Sequence, residues 1–295
     1  MNARLNQTIT LSDGRSLGFA EYGDPDGFVV FFMHGQPGNR LFHPDSSITK
    51  SAGIRLIIPD RPGYGLSANA PGRKLADWPG DLIQLADSLA VEQFGLIGFS
   101  AGGPYALVCA AVYPEKIRQL LLISSAPPLS DRNLLAKMPL LVRLNYWTLR
   151  LLPRFFYLTF EWYWSRARKN PMSFIHLTER QSSLADQKIL KEPQVQEMIL
   201  SCWEENLRVE STGYVRDAEI LFGEWGFDLS EIETTVLLWW GDQDRNTPTA
   251  VRDFYESQLS NTRLYRQPEL GHFGFLTAWA GICQRVHPQS IREQK

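Results

Sequence analysis

The chain has 295 residues, 44% of them hydrophobic, and a formal net charge of -2. This length accommodates one large α/β domain, with or without an inserted subdomain, and the small net charge argues against nucleic-acid binding. The first residues lack the apolar stretch of a secretory signal, and no apolar run approaches the length of a membrane span. The widely spaced cysteines Cys109, Cys202 and Cys283 belong to no metal or disulfide motif, so we expect reduced, buried thiols in a cytoplasmic protein.

The strand pattern is that of a largely parallel sheet. Residues 8–11 and 16–22 flank a Ser-Asp-Gly-Arg turn and predict an antiparallel hairpin at the start of the fold. Continuous apolar runs follow, which is typical of strands that are buried on both faces. We predict such strands at residues 28–33, 55–59, 94–97, 119–123 and 235–240, with a weaker last strand at residues 262–266.

Helical patterns separate several of these strands. Asp77 is the predicted N-cap of a helix that continues to Ala90, with Pro79 in its first turn. Residues 101–113 and 249–259 also have helical patterns. The alternation of strands and helices predicts an α/β fold in which a mostly parallel central sheet is flanked by helices.

This alternation stops between residues 127 and 226, which are mostly helical and contain no convincing buried strand. We therefore predict a core domain formed by residues 1–126 and 227–295, into which residues 127–226 are inserted as a helical cap. An insertion at this point of the chain lies over the carboxyl edge of the sheet, where ligands bind in open α/β sheets. The many aromatic residues of this segment are expected to pack the cap onto the core and to face the ligand in part.

The first part of the predicted cap is basic as well as aromatic, and its only local acids are Asp131 and Glu161. The cationic residues are Arg132, Lys137, Arg143, Arg150, Arg154, Arg166, Arg168 and Lys169. Such a surface suits peripheral contact with an anionic membrane, without stable insertion, or attraction of an acidic substrate. The alternative is an ordinary solvated helix face whose cations pair with the acids between residues 179 and 210.

The most informative motif is Gly-Phe-Ser-Ala-Gly at residues 98–102. It matches Gly-x-Ser-x-Gly, in which a nucleophilic serine is held exposed on a strained strand-to-helix turn. The flanking glycines are required because a Cβ at Gly98 or Gly102 would collide with the turn. A predicted strand before Ser100 and a predicted helix after it supply the expected context. An ordinary strand–turn–helix with a serine in its turn is the alternative interpretation.

A nucleophilic serine needs a base, and an acid that orients the base. Asp244 follows the predicted strand 235–240 in a loop at its carboxyl end, where a carboxylate can turn toward a histidine. Asp242 competes for this role, but it directly follows the turn glycine and is expected to stabilise the loop. His272 is the candidate base because, of the five histidines, it alone lies in a short loop at the expected edge of the sheet.

The reaction also needs backbone N–H donors for an oxyanion. Ala101 directly follows the serine, and Gln36 lies in the loop after the first parallel strand, so we expect their N–H groups to form the oxyanion hole. We expect the aromatic residues Phe99, Trp203 and Phe273 to contact the substrate. No metal-ligand spacing and no phosphate-binding loop occurs in the sequence, so we expect neither a metal nor a cofactor.

Five sequence blocks occur in one order along the chain: His-Gly-Gln-Pro-Gly (34–38), Asp-Arg-Pro-Gly-Tyr-Gly-Leu-Ser (60–67), Gly-Phe-Ser-Ala-Gly (98–102), Gly-x-x-Asp (241–244) and Gly-His (271–272). With these blocks the chain resembles the α/β-hydrolase superfamily over nearly its whole length, and in particular its serine-nucleophile members with a helical cap. The resemblance implies the α/β-hydrolase fold, a triad in the family's order, residues 60–67 beside the active-site edge, and a lid. It leaves the substrate open, since the superfamily includes esterases, lipases, amidases, aminopeptidases, epoxide hydrolases, dehalogenases and haloperoxidases.

Ser100 favours acyl chemistry, because epoxide hydrolases and haloalkane dehalogenases of this superfamily attack with an aspartate at that place. We therefore expect a serine hydrolase that cleaves a carboxylic ester of a small to medium, partly apolar small-molecule substrate through an acyl-enzyme. A proline iminopeptidase-like aminopeptidase, or an amidase, is the first alternative, with Glu204 and Glu205 as cap acids that hold an amino group. Gln36 departs from the glycine expected in the loop of such aminopeptidases. The second alternative is a non-catalytic binding protein on a hydrolase scaffold.

Overall fold

The computed structural model describes residues 3–287, in which eight strands form one sheet. The strands are β1 (Arg4–Thr10), β2 (Ser16–Gly23), β3 (Phe28–Met33), β4 (Ile54–Pro59), β5 (Phe94–Phe99), β6 (Ile117–Ile123), β7 (Val236–Gly241) and β8 (Thr262–Gln267). Their order across the sheet is β1-β2-β4-β3-β5-β6-β7-β8. The pairs β1–β2 and β2–β4 are antiparallel, and every other neighbouring pair is parallel. The predicted hairpin and the predicted mostly parallel sheet are confirmed.

Successive side chains of the inner strands pack on opposite faces of the sheet. In β3, Phe31 and Met33 belong to one hydrophobic cluster, whereas Val30 and Phe32 belong to another. Strands β5 and β7 are buried at every residue, as continuous apolar runs predict for strands covered on both sides. Strand β8 lies at the edge and is only partly buried, which explains its weaker apolar pattern.

Helices cover both faces of this sheet. They are α1 (Ser46–Ser51), α2 (Trp78–Ser88), α3 (Gly103–Val112), α4 (Arg132–Lys137), α5 (Leu140–Leu151), α6 (Pro153–Lys169), α7 (Pro171–Gln181), α8 (Leu184–Leu190), α9 (Pro193–Asn206), α10 (Thr212–Phe222), α11 (Thr249–Gln258) and α12 (Trp279–Val286). Side chains of α2, α3 and α11 join the cluster that contains Phe31, and those of α12 join the cluster that contains Phe32. The sheet is therefore the middle of three layers.

One predicted helix start differs from the structure, and one predicted N-cap lacks its side-chain hydrogen bond. Asp77 is the N-cap of α2, as predicted, but its carboxylate accepts a hydrogen bond from the Lys74 amide (2.7 Å) and closes the preceding 3₁₀ turn, Leu75–Asp77, instead of accepting from the first amides of α2. Helix α3 begins at Gly103, after a second 3₁₀ turn at Ser100–Gly102. A hydrophobic pattern does not distinguish a 3₁₀ turn from the first turn of an α-helix, so it predicts the start two residues too early.

Helices α4 to α10 follow one another between β6 and β7, and we call residues 132–222 the α4–α10 segment. This segment lies against the loop that follows β3. The Gln36 side-chain amide donates to the carbonyl of Tyr214 on α10 (2.8 Å), and the Asn39 side-chain amide donates to the carbonyl of Cys202 on α9 (2.9 Å). The segment therefore covers the edge of the sheet at which the parallel strands end.

The three cysteines are in the state that the sequence predicts. Cys109, Cys202 and Cys283 are free thiols and are buried, as predicted. Burial raises the pKa of each of these thiols, so they stay protonated at neutral pH. Within residues 3–287, none of the helices combines the length and the apolar character needed to cross a bilayer.

Candidate active site

Ser100 lies at the junction between β5 and the 3₁₀ turn that precedes α3. Its φ angle is 52°, in the left-handed region that a residue with a Cβ rarely adopts. Close packing of the flanking glycines imposes this turn. A Cβ on Gly98 would lie 2.7 Å from the Cα of Gly103, and a Cβ on Gly102 would collide with the Met33 carbonyl group. The steric requirement for both glycines is thereby confirmed, and the serine hydroxyl is presented above the sheet edge.

His272 and Asp244 form a buried hydrogen-bonded pair. The His272 Nδ1 lies 2.8 Å from Asp244 Oδ2. The other carboxylate oxygen accepts from the amides of Asn246 (2.7 Å) and Thr247 (2.9 Å), and the Thr247 hydroxyl donates to Oδ2 (2.7 Å). Burial by itself raises the pKa of Asp244, but attraction to His272 and these hydrogen bonds outweigh it and hold the pKa below its ordinary value. The carboxylate is therefore ionised and aimed at the imidazole.

Asp242 has a different role from Asp244. Its carboxylate pairs with Arg252 (2.9 Å) and with Arg266 (2.6 Å), which link β7 to α11 and to β8. The Arg266 hydrogen bond is the main cause that lowers the Asp242 pKa. The structure thus assigns Asp242 to the stability of the loop, as the sequence predicts.

The predicted site residues line one cavity of about 1140 Å³ between the sheet edge and the α4–α10 segment. Those on its wall are Gln36, Phe99, Ser100, Ala101, Trp203, Asp244, His272 and Phe273. The ring of Phe99 lies 5.0 Å from that of His272 and 6.2 Å from that of Phe273, centroid to centroid. Among the described residues, no hydrogen bond joins the Ser100 hydroxyl to the His272 ring, although both groups face this cavity. Such bonds are often long before substrate is bound.

Four histidines lie outside this arrangement, one of which, His287, follows α12 at its C-terminal end. The His34 ring is fully buried beside the carbonyl of Gly35 (2.8 Å), and burial holds its pKa well below the ordinary value. The His43 ring stacks on Tyr22, and His176 lies exposed on α7. The burial and the contact of His34 are those of a structural residue.

The charges on the cavity wall are mainly positive. Besides Asp244 and His272, the charged residues lining it are Lys137, Arg180 and Arg245, all exposed and without an ion pair among residues 3–287. Glu204 and Glu205 are not on its wall. The Glu205 carboxylate is buried and pairs with Arg40 (2.7 Å), and Glu204 faces solvent.

Residues 29–278 match the family model described as the alpha/beta hydrolase fold. The chain belongs to this family. The solved structure of an esterase from Exiguobacterium antarcticum has the same fold, with a TM-score of 0.68 over 95% of this chain and 97% of that chain, at 19% sequence identity. Family membership and this likeness establish the fold.

Two curated relatives match a shorter stretch of this hydrolase-fold chain. The uncharacterized hydrolase YcgS of Bacillus subtilis is 34% identical over 119 residues, which are 40% of this chain and 41% of that protein. A non-heme chloroperoxidase of Streptomyces lividans is 31% identical over 132 residues, 43% of this chain and 48% of that protein. The matched region thus spans less than half of each relative.

Sequence reasoning missed a buried ion-pair cluster behind the site. Asp217 on α10 pairs with Arg61 (2.7 Å) and with Arg73, and the hydroxyl of Tyr64 donates to the same carboxylate (2.6 Å). The Arg61 guanidinium also donates to the carbonyls of His34 (2.6 Å) and of the next residue (3.1 Å). Arg61 therefore links the α4–α10 segment to the loop that carries Gln36. No local pattern pairs residues so far apart in the chain.

A second missed residue is Asp186 on α8. Its carboxylate accepts hydrogen bonds from the backbone amides of His272 and Phe273. In the sequence it looks like an ordinary acid in the first turn of a helix, where it would favour the helix dipole. Only the three-dimensional contact distinguishes it from the other acids of the segment.

Proposed function

We propose that this protein is a serine hydrolase that cleaves a carboxylic ester of a small to medium, partly apolar substrate through an acyl-enzyme. The observation that carries the proposal is the buried His272–Asp244 pair on the wall of the cavity to which the strained Ser100 turn presents its hydroxyl. A base oriented by an ionised acid, next to an exposed serine, is the arrangement that acyl transfer requires.

In this mechanism the Ser100 oxygen attacks the ester carbonyl, and the His272 Nε2 takes the hydroxyl proton. Asp244 holds the proton of Nδ1 and stabilises the imidazolium by its negative charge. The N–H groups of Gln36 and Ala101 stabilise the oxyanion. The imidazolium then protonates the leaving alcohol, and a water molecule activated by the same base releases the acid.

We further propose that residues 127–226 act as a cap, and that residues 1–126 and 227–295 form the core. The cavity supports this proposal, since its wall combines core residues such as Phe99 with Trp203 from α9. These aromatic side chains suit the apolar part of the substrate, which they shield from water during the reaction. The free, buried cysteines support a cytoplasmic location.

The aminopeptidase alternative has less support. It requires an unpaired acid in the cavity to hold an ammonium group, but Glu205 is already paired with Arg40 and Glu204 faces solvent. The cationic Lys137, Arg180 and Arg245 on the wall would instead repel such a group. The non-catalytic alternative does not explain why an ionised Asp244 is hydrogen-bonded to His272 on the cavity wall.

The test is hydrolysis of p-nitrophenyl esters from acetate to laurate by wild type, by Ser100→Ala and by the surface control Ser257→Ala. We expect turnover by wild type and by the control, and a loss of at least about a thousandfold in Ser100→Ala. The acyl-chain length that gives the highest kcat/KM shows how long an acyl group the cavity accepts. Full activity of Ser100→Ala would overturn the mechanism.

A parallel assay separates the alternatives. Aminoacyl arylamides that are cleaved only with a free α-amino group would establish the aminopeptidase. A fluorophosphonate probe should label wild type at Ser100 and leave Ser100→Ala unlabelled. Failure to label the folded wild-type protein, together with no turnover of esters or arylamides, would establish the non-catalytic alternative.

A further inference from the structure

Exposed apolar side chains are concentrated on one part of the molecule. Of the fourteen large hydrophobic residues that are exposed within residues 3–287, ten lie between positions 140 and 162, on α5, α6 and their junction. They are Leu140, Leu141, Leu144, Trp147, Leu151, Leu152, Phe155, Tyr157, Leu158 and Trp162. Scattered single hydrophobic residues are normal on a protein surface, but a contiguous group of this size marks an interaction site.

The spacing on α5 places four of these residues on one side of the helix. Leu140, Leu144, Trp147 and Leu151 follow the i, i+4, i+7, i+11 pattern, which aligns side chains along one face. The buried Tyr146 lies on the opposite side and packs toward the protein interior. Helix α5 is thus apolar on both sides, and one of them has no cover in the described structure.

Helix α6 repeats this arrangement. Phe155, Leu158 and Trp162 are spaced i, i+3, i+7 and are exposed, while Phe156 and Trp164 are buried in the interior. Helices α5 and α6 pack against each other, joined at Leu152 and Pro153. We call the ten exposed residues the apolar face.

The charges on α5 and α6 are almost all positive, and the Glu219 carboxylate beside Tyr157 is already paired with Arg216. Arg143, Arg150, Arg154 and Arg166 are exposed, and none of them forms an ion pair within the described part of the chain. The Arg166 guanidinium lies 5.9 Å above the ring of Trp162. The acid of these helices, Glu161, accepts a hydrogen bond from the Ser211 hydroxyl instead. The surface therefore combines apolar side chains with uncompensated positive charge.

We propose that the apolar face binds the surface of a bilayer that contains anionic phospholipids. Leucine and aromatic side chains would enter the boundary between headgroups and acyl chains, and the arginines would contact the lipid phosphates. The absence of a membrane-spanning helix in residues 3–287 makes this contact peripheral. A second copy of this chain would fit the apolar side chains equally well, but two copies would bring the same unpaired arginines together, which disfavours a dimer.

The apolar face continues to the mouth of the active-site cavity. Leu141 belongs to the face and also lines the cavity, together with Val142 and Asn145 on the same helix. A protein docked through this face presents its cavity to molecules that are dissolved in the bilayer. This consequence rests on the proposed function, whereas the membrane contact itself does not.

The experiment is co-sedimentation of the full chain with vesicles of phosphatidylcholine alone and of phosphatidylcholine mixed with phosphatidylglycerol. We expect wild type to bind the mixed vesicles and to bind more weakly at high salt, because salt screens the arginines. Leu158→Asp and Leu151→Asp, at positions 70% and 67% exposed, should each weaken binding at least about tenfold. Leu184→Asp on α8, at a position 72% exposed and outside the face, is the matched control and should bind like wild type.

Two results would overturn the proposal. One is that Leu158→Asp binds the mixed vesicles as tightly as wild type and the control Leu184→Asp do. The other is a concentration-dependent dimer in sedimentation equilibrium that Leu158→Asp dissociates, without vesicle binding by wild type. Unchanged hydrolysis of a short, water-soluble ester by Leu158→Asp shows that the variant is folded. If no variant hydrolyses any ester, the vesicle result still decides the membrane contact, while the proposed function fails separately.

Discussion

One carboxylate oxygen of Asp186 accepts a hydrogen bond from the backbone amide of His272 (3.0 Å), and the other accepts one from the backbone amide of Phe273 (2.8 Å). Asp186 is buried on α8, and the Ser183 hydroxyl donates to it as well (2.8 Å). The loop that carries the proposed base is therefore held by the α4–α10 segment and by Asp244 from the sheet side. Asp186 does not touch the reacting atoms, so we regard it as a positioning residue.

Removal of this carboxylate should disturb catalysis more than substrate binding. In Asp186→Ala, the buried amide of His272 loses its acceptor at a cost of about 1–3 kcal/mol, the half-buried amide of Phe273 loses its acceptor too, and the loop relaxes. We expect kcat to fall by at least about tenfold with a small change in KM, because a misplaced base affects the transition state most. The measurement is a steady-state profile of kcat and KM against pH.

Asp186→Asn keeps one strong acceptor, so it should recover part of the lost kcat. Glu204→Ala removes an exposed acid from the neighbouring helix α9 and serves as the control. If Asp186→Ala lowers the free energy of unfolding but leaves kcat and its pH profile unchanged, the residue stabilises the fold without positioning the base.

The Arg61–Asp217 pair predicts a dependence of stability on pH. Burial alone raises the Asp217 pKa, but attraction to Arg61 and Arg73 and the Tyr64 hydrogen bond outweigh it and lower the pKa well below the ordinary value. Because the folded-state pKa is depressed, ionised Asp217 stabilises the fold above the unfolded-state pKa of about 3.9. This contribution disappears as the pH falls from there toward the folded-state pKa.

Asp217→Asn should therefore destabilise the protein at neutral pH by about 3–5 kcal/mol, since two buried guanidinium groups lose their counter-charge. The difference from wild type should shrink below about pH 4, where wild type also loses the charge. Urea unfolding at pH 7 and at lower pH measures both values. Asp253→Asn, which breaks an exposed ion pair, should cost at most about 1 kcal/mol. A constant difference across the pH range would contradict the assignment.

Local sequence signals suffice for the strands and for the residues that follow them. Ser100 directly follows β5, Gln36 and Asp244 lie three residues beyond the ends of β3 and β7, and parallel strands all end at one edge of the sheet. The apolar runs define these strands to within about two residues. The ends differ because pairing extends them, as Phe99 opposite Ile123 extends β5 beyond its predicted end.

The contacts of the α4–α10 segment are different in kind. Asp186 and His272 are 86 positions apart, and Arg61 and Asp217 are 156 positions apart. Helical periodicity tells which side of a helix is apolar, but it does not tell which loop a polar side chain will meet. The same limit hides the exposure of Leu144 and Leu158, which a periodic pattern would assign to the interior.

The cationic wall of the cavity predicts a preference for anionic esters. Lys137, Arg180 and Arg245 line the cavity without an acidic partner in residues 3–287, so they raise the local concentration of a negatively charged substrate and attract its charge when it is bound. We expect kcat/KM for p-nitrophenyl hemisuccinate to exceed that for the neutral p-nitrophenyl butyrate. Comparison of this ratio between variants cancels differences in the amount of folded enzyme and in the intrinsic reactivity of the two esters.

The combined variant Lys137→Gln, Arg180→Gln and Arg245→Gln should lower this ratio by about tenfold, because each exposed cation contributes about 0.2–1 kcal/mol. Lys188→Gln, an exposed lysine of α8 that is not on the cavity wall, should leave the ratio unchanged. High salt should reduce the wild-type ratio toward that of the combined variant, since the three groups are exposed and their attraction is screened. An equal ratio in wild type and in the combined variant at low salt would show that these cations do not select the substrate, and that the aromatic wall alone does so.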